Sequence, residues 1–173
     1  MSTSLHASSV PAFIAMLNNI KQWLDQAAAT GNEAALIEAR LADDMFPLAR
    51  QIQIAADAAK GAGARMTGTE APVMADEETT FAELKTRCDK TIAYLESLDA
   101  AAFDAGASRE VVITFPNGAG VKFDGHTFLT GFAIPNFYFH ATTTYAILRA
   151  GGVAVGKQNF LGHLAPYMFA PPA

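Results

Sequence analysis

The chain has 173 residues, of which 51% are hydrophobic and 17% are charged. This composition is typical of one compact domain with a sizeable core, and it excludes an intrinsically disordered protein. The 12 basic residues are scattered among 17 acidic ones, and the net charge is −5, so the basic surface of a nucleic-acid-binding protein is absent. We therefore expect a single domain over residues 1–173 and no nucleic-acid partner.

The single cysteine and the amino-terminal segment indicate the compartment. Cys88 cannot form an intramolecular disulfide or a multi-cysteine zinc site, and its place in an apolar helical stripe predicts a small buried hydrophobe. The segment Met1–His6 lacks the positive region of a signal peptide. The uncharged stretch Gly125–Leu148 is long enough to cross a bilayer, but its histidines, threonines and Pro135 favour a buried helix instead. We expect a cytoplasmic protein with no membrane partner.

The first helix is predicted over about residues 9 to 28. Ser9 fits the N-cap, and Pro11 then falls in the first turn, where its missing N–H costs little. An earlier start at Ser4 would instead make Pro11 a kink. Apolar residues recur through the segment at spacings of three and four: Val10, Phe13, Leu17, Ile20, Leu24 and Ala27.

The second helix is predicted to begin at Asp43 or Asp44 and to end near Met66, with Pro47 in its first turn. Two acidic residues at the start complement the helix dipole, and Arg40 is expected to pair with one of them. The middle of this helix is rich in alanine and glycine, so a neighbouring helix can approach closely.

A third helix follows the polar loop Thr69–Glu78. Thr80 and Glu83 have the spacing of a capping box, which marks the start of a helix. Its predicted core face is the apolar stripe that contains the cysteine: Phe81, Leu84, Cys88, Ile92 and Leu95.

A small β-hairpin is predicted near 110–124. The β-branched run Val111–Phe115 and the run Val121–Phe123 flank the turn Pro116–Gly120, which contains an Asn-Gly step. Because two strands alone are only marginally stable, the hairpin must pack on the helices or on another subunit.

A fourth helix is predicted from near Asp124 or Thr127 to Gly151, with a kink at Pro135. The tail over 153–173 is expected to pack on the bundle or on a partner. Four helices joined by mostly short loops predict a mainly all-α protein, an up-down four-helix bundle with one β-hairpin.

Two polar pairs at helical spacing are the candidate site residues. Asn136 and His140 lie one turn apart on an otherwise apolar helix, and Gln53 and Asp57 share a face of the second helix, with Gln51 nearby. A carboxylate could orient His140 as a metal ligand or a general base. Alternatively, His140 is a core histidine bonded to Asp57, Gln53 or a threonine. Signatures of the common hydrolases and nucleotide-binding proteins are absent, so the chain is not assigned to a class of enzyme.

Four segments resemble an uncharacterised bacterial family that is grouped with the DinB-like four-helix bundles. They are PAFIAMLNN (11–19), ARLADDMFPL (39–48), QIQIAAD (51–57) and PNFYFH (135–140). The resemblance covers essentially the whole chain. It implies an up-down four-helix bundle, often dimeric, with a small-molecule pocket between the helices, here at Gln53, Asp57, Asn136 and His140.

The resemblance also implies a degenerate metal site. Metal-binding DinB-like proteins hold a divalent ion with three histidines, one on the second helix and two in a His-x-x-x-His pair on the last. Here His140 matches the second member of that pair, Asn136 stands at the first, and Gln53 or Gln51 stands on the second helix. Amide oxygens are poor ligands for zinc or nickel, so tight binding is not expected. The alternative is a non-catalytic structural or binding protein that acts as a homodimer.

Overall fold

Four long helices form the frame of the molecule in the computed structural model, which describes residues 3–115 and 117–169. These are α1 (Leu5–Ala28), α3 (Leu48–Thr67), α4 (Phe81–Glu96) and α7 (Ile134–Ala150). The shorter elements are α2 (Glu33–Glu38), α5 (Ala100–Ala105), β1 (Glu110–Thr114), β2 (Gly120–Asp124), α6 (Gly125–Thr127) and α8 (Lys157–Phe160). The predicted mainly helical bundle with one small hairpin is confirmed. In the described part of the chain, no helix has both the length and the apolar character that a bilayer crossing requires.

Helix α1 begins at Leu5, so the predicted start near Ser9 is wrong and the alternative start at Ser4 is the one observed. The Ser4 side chain accepts from the Ala7 N–H at 3.0 Å and caps the helix. Asp104 stabilises the same end, because its Oδ1 accepts from the His6 backbone N–H at 2.8 Å. Pro11 consequently lies inside the helix and not in its first turn.

Helix α3 begins later than predicted. Pro47 is its N-cap, with an extended ψ of 168°, and the predicted start at Asp43 or Asp44 is wrong. A proline disfavours a helical conformation for the residue that precedes it, so the helix starts only after Pro47. The predicted pairing of Arg40 with these aspartates is also wrong. Among the described residues, its guanidinium forms an ion pair with Glu38 alone, at 4.0 Å.

Helix α4 confirms both local predictions made for it. Thr80 Oγ1 accepts from the Glu83 N–H at 3.2 Å, and Glu83 Oε2 accepts from the Thr80 N–H at 3.0 Å, which is the reciprocal capping box. Cys88 is fully buried in the core face, and burial raises the pKa of its thiol to about 12. It is a small hydrophobe of the core.

The hairpin pairs β1 with β2 antiparallel, with Val112 opposite Lys122. Pro116, in the predicted turn, lies outside the described residues. Of the two predicted alternatives, the structure shows packing on the helices, because the ring of Phe123 lies 6.0 Å from that of Phe132. Backbones also meet closely here: a Cβ at Gly125 would lie 2.0 Å from the carbonyl oxygen of Gly106. This site therefore requires glycine.

A π-helical turn over Phe128–Ala133 replaces the predicted kink of a continuous helix. Helix α7 then starts at Ile134, so Pro135 lies in its first turn. The wider π turn accommodates the proline, whose ring would clash with the carbonyl of Gly131 in a regular α-helix. Because this turn directly precedes α7, it affects the direction in which the side chains of Asn136 and His140 point around the helix axis.

The described part of the tail packs on its own bundle. Trp23 Nε1 donates to the Asn159 carbonyl oxygen at 3.2 Å, and the indole stacks on Phe160 with ring centroids 5.6 Å apart. Asn19 Nδ2 donates to the Phe160 carbonyl oxygen at 2.8 Å. The last four positions of the predicted tail, 170–173, lie outside the described residues.

Candidate functional site

His140 on α7 faces α3 and bonds to a single glutamine. Its side chain is largely buried, with the residue 8% exposed, and Nδ1 lies 2.7 Å from Gln51 Oε1. The Gln51 amide nitrogen donates to the Phe46 carbonyl oxygen at 3.0 Å, and this bond sets which end of the amide faces the ring. Gln51 therefore presents its oxygen to His140, and Nδ1 carries the proton.

The second ring nitrogen of His140 is left with a free lone pair. No group in the described part of the chain bonds to Nε2. Burial lowers the pKa of His140 below its ordinary value, and the positive charge of Arg50 lowers it further. The ring is consequently neutral at pH 7, with Nε2 available as an acceptor of a hydrogen bond or a proton.

Polar and aromatic side chains surround this histidine. Asn136, one helical turn earlier, is half-buried, and its amide forms no hydrogen bond within residues 3–115 and 117–169. Phe139 meets the imidazole edge to face, with centroids 5.2 Å apart, and is 58% exposed. The Thr144 hydroxyl donates to the backbone oxygen of His140 at 2.9 Å and not to the ring.

Gln53 and Asp57 take part in a different hydrogen-bond network. Gln53 Oε1 accepts from Arg50 at 3.1 Å, and its amide nitrogen donates to Glu78 at 2.9 Å. Asp57 Oδ1 accepts from Arg87 at 2.7 Å and lies 2.9 Å from Lys60 Nζ. The histidine is thus bonded to Gln51, not to Asp57, Gln53 or a threonine. Residues two positions apart in a helix differ by about 200° in direction, which explains why two glutamines on α3 serve two sites.

Arg87 is the centre of that second network, and the sequence prediction missed it. Its side chain is only 1% exposed, and each terminal nitrogen has two oxygen neighbours within 3.0 Å. Those neighbours are the backbone oxygen of Ala75 and the carboxylates of Asp57, Asp76 and Glu78. Burial disfavours the charge, but the bonds and charges of Glu78 and Asp57 outweigh it and raise the pKa of Arg87. The sequence pattern that could have revealed this role is a basic residue one helical turn after Leu84, on the apolar face of α4.

The three-ligand metal site implied by the resemblance does not fit these residues. Gln51 Oε1 accepts from the histidine, and Gln53 Oε1 accepts from the cation of Arg50, so neither amide oxygen is free to be a ligand. Among the four candidate positions, all within the described residues, only His140 offers an imidazole, whereas zinc sites favour several nitrogen or sulfur ligands. Within the described residues, no group of at least three His, Cys, Asp or Glu side chains could hold a metal ion.

Known proteins show the same architecture. Over residues 5–161 the chain matches the family whose description is Domain of unknown function (DUF1993). It is also similar to a solved structure, the crystal structure of a DinB family member protein from Shewanella denitrificans, with 41% identity, 96% of each chain covered and a TM-score of 0.85. No curated protein matches the chain. The chain therefore belongs to the DUF1993 family, and its fold is that of a DinB family member.

Proposed function

We propose that the protein binds a small molecule beside His140 without a tightly held divalent metal. The observation that supports this most directly is the Gln51–His140 pair, in which a hydrogen-bonded amide orients a neutral imidazole. Burying an imidazole whose second nitrogen has no hydrogen-bond partner costs free energy, and a ligand bonded to that nitrogen would offset the cost. Of the pocket predicted at Gln53, Asp57, Asn136 and His140, the last two remain our proposed ligand contacts.

The chemistry of this site favours a ligand that offers an O–H or N–H group. The Nε2 lone pair would accept that proton, either as a hydrogen bond or as the first step of general-base catalysis. Arg50, whose charge reaches the histidine, is itself paired with Asp76, so it helps keep the imidazole neutral without calling for an anionic ligand. Gln53 and Asp57 act indirectly in this proposal, because they hold Arg50 and Arg87 in place.

Two measurements test the proposal. Elemental analysis of protein purified without a histidine tag should find no stoichiometric divalent metal. About one metal ion per chain that disappears in His140→Ala would refute the metal-free site. Diethyl pyrocarbonate, which acylates neutral imidazoles, should modify His140 in the folded protein, as mapped by mass spectrometry. An unmodified His140 beside a modified, exposed His126 would show that Nε2 is inaccessible.

Ligand binding itself is tested with a fragment library and ligand-observed NMR. Fragments that bind the wild type and His126→Ala, but not His140→Ala, are the expected result. His126 is a suitable control because it is exposed and lies outside α7. If every hit survives His140→Ala while the melting temperature falls sharply, the histidine is structural and the proposed site is wrong.

A second candidate function is assembly as a homodimer in the cytoplasm. The observation in its favour is the exposed apolar surface of the tail, where Tyr167, Met168 and Phe169 are 80%, 79% and 89% exposed. Contiguous exposed apolar surface commonly marks an interface. Light scattering at micromolar concentration should give twice the chain mass of 18.3 kDa. A monomer mass would refute the homodimer.

A further inference from the structure

The segment 70–78, which we call the strap, joins α3 to α4 and is attached to them through their side chains. Among the described residues, no backbone group of the strap bonds to another backbone group. Two of its carbonyl oxygens accept from side chains instead: Lys60 Nζ donates to Pro72 at 3.1 Å, and Arg87 donates to Ala75 at 3.0 Å. A segment without a backbone hydrogen-bond ladder can open locally at a low free-energy cost.

Two carboxylates of the strap provide its remaining polar attachments. Asp76 forms ion pairs with Arg87, at 2.9 Å, and with Arg50. Glu78 accepts from Arg87 at 2.9 Å and from the Gln53 amide at 2.9 Å. The side chains of Asp76 and Arg50 are 39% and 37% exposed, and solvent weakens an ion pair at that exposure. The strap is thus attached mainly by charged groups, and Arg87 makes the largest number of these contacts.

Apolar packing adds little to this attachment. Val73 is 98% exposed and contributes nothing to the core. A groove of about 370 Å³ lies between residues 73–78 and α4, so the strap does not pack tightly on that helix. Met74 is half-buried, and its sulfur accepts from the Thr91 hydroxyl at 3.9 Å. Because apolar burial is the main force that holds segments of a protein together, its scarcity here leaves the strap weakly held.

We infer that the strap detaches from α3 and α4 as a unit while the four long helices stay folded. Arg87 and Thr91, which are 2% and 0% exposed in the closed state, would then meet water. Loss of the charged attachments is what opens the strap, so removing one of its carboxylates should favour the open state. This conformational change is independent of the ligand site proposed at His140.

Oxidation of Met74 by hydrogen peroxide reports on the opening. Peroxide transfers an oxygen atom to an accessible methionine sulfur, and peptide mass spectrometry gives the rate at each methionine. The chain supplies internal references, since Met168 is 79% exposed whereas Met16 and Met66 are 2% and 0% exposed. In the wild type, Met74 should oxidise more slowly than Met168 and faster than the two buried methionines.

Asp76→Asn tests whether charge holds the strap closed. The substitution keeps the shape of the side chain and removes two partly exposed ion pairs, so Met74 should oxidise roughly three- to tenfold faster. The two buried methionines should keep their wild-type rates. The matched control is Asp89→Asn on α4, because Asp89 also forms an exposed ion pair, with Lys21, but does not contact the strap. It should leave the rate at Met74 unchanged.

Three results would overturn the inference. One is a wild-type Met74 that oxidises as fast as Met168, because the closed strap would then give its sulfur no protection. Another is an unchanged rate at Met74 in Asp76→Asn. The third is oxidation of Met16 and Met66 in step with Met74, which would show that the whole bundle unfolds and that the strap does not open separately.

Discussion

Replacing Arg87 by leucine is the most informative change to the stability of this protein. The substitution puts an apolar side chain in the same buried place but removes a cation that pairs with Asp57, Asp76 and Glu78. The guanidinium is 1% exposed, whereas the side chains of Asp57 and Asp76 are 36% and 39% exposed. Without Arg87, Asp57 keeps its contact with Lys60, Asp76 keeps its ion pair with Arg50, and both carboxylates can reach water.

The magnitude follows from this difference in exposure. Breaking a fully buried ion pair costs about 3–5 kcal/mol, but exposed carboxylates lose much less. The main losses are the bonds of Arg87 to Glu78, which is 13% exposed, and to the backbone oxygen of Ala75. A hydrogen bond to a charged group contributes roughly 1.5–3 kcal/mol. We therefore expect Arg87→Leu to lower the free energy of unfolding by about 2–4 kcal/mol.

The assay is urea denaturation of the wild type, Arg87→Leu and the control Arg149→Leu across a range of pH. Arg149 is exposed at the end of α7, and its replacement should cost less than about 0.5 kcal/mol. Acid should diminish the difference in the free energy of unfolding between the wild type and Arg87→Leu. Burial raises the pKa of Asp76, but Arg50 and, to a smaller extent, Arg87 lower it below 3.8 in the folded state. Arg50 remains in the variant, so only part of this effect depends on Arg87. The stabilising contribution of Asp76 is therefore present above pH 3.8 and is lost as the pH falls through the lowered value.

Two results would refute this reasoning about Arg87. One is a loss smaller than about 1 kcal/mol in Arg87→Leu, which would mean that the network contributes little against its desolvation cost. The other is a loss that does not diminish in acid, because cavity formation would then explain it better than lost ion pairs.

Three other predictions follow from individual contacts. Gly125→Ala should lower the free energy of unfolding by roughly 1–3 kcal/mol in urea melts, since its Cβ would lie 2.0 Å from a backbone oxygen; Gly131→Ala, whose Cβ would lie 3.9 Å from Thr127 Cγ2, should not destabilise the protein. The pKa of His140 measured by NMR should lie below 6.5 and rise in Arg50→Gln, because burial and the Arg50 charge both lower it; an unchanged value would exclude that charge as a cause. Cys88 should react with iodoacetamide only after unfolding, because it is buried with a pKa of about 12; fast labelling of the native protein would contradict this.

The local elements of this fold could be predicted because their signals lie within a few residues. The capping box of Thr80 and Glu83 marks the start of α4, and the β-branched run ending at Phe115 marks β1. The start of α3 was missed because acidic residues resemble a helix start whether or not a proline follows them. The helix begins only after Pro47, because a proline disfavours the helical conformation at the residue before it.

The candidate site could be predicted only in part. The spacing of Asn136 and His140 predicted that the two share one face of α7, but the π turn before Pro135 was not visible as a pattern. The partner of His140 is 89 residues away in the chain, on α3. From the sequence, Asp57, Gln53 or a threonine was expected as this partner, and only the rotation of α3 against α7 brings Gln51 there instead.

By itself, the sequence determined where the four long helices lie to within a few residues, which side chains share a helix face, and where the hairpin lies. These properties depend on backbone geometry and on hydrogen bonds between near neighbours. The tertiary structure alone decided which faces meet: Gln51 with His140, and Arg87 with Asp57, 30 residues apart. The reason is physical, since a buried polar group must find a partner, and the packing of whole helices determines which partner lies within reach.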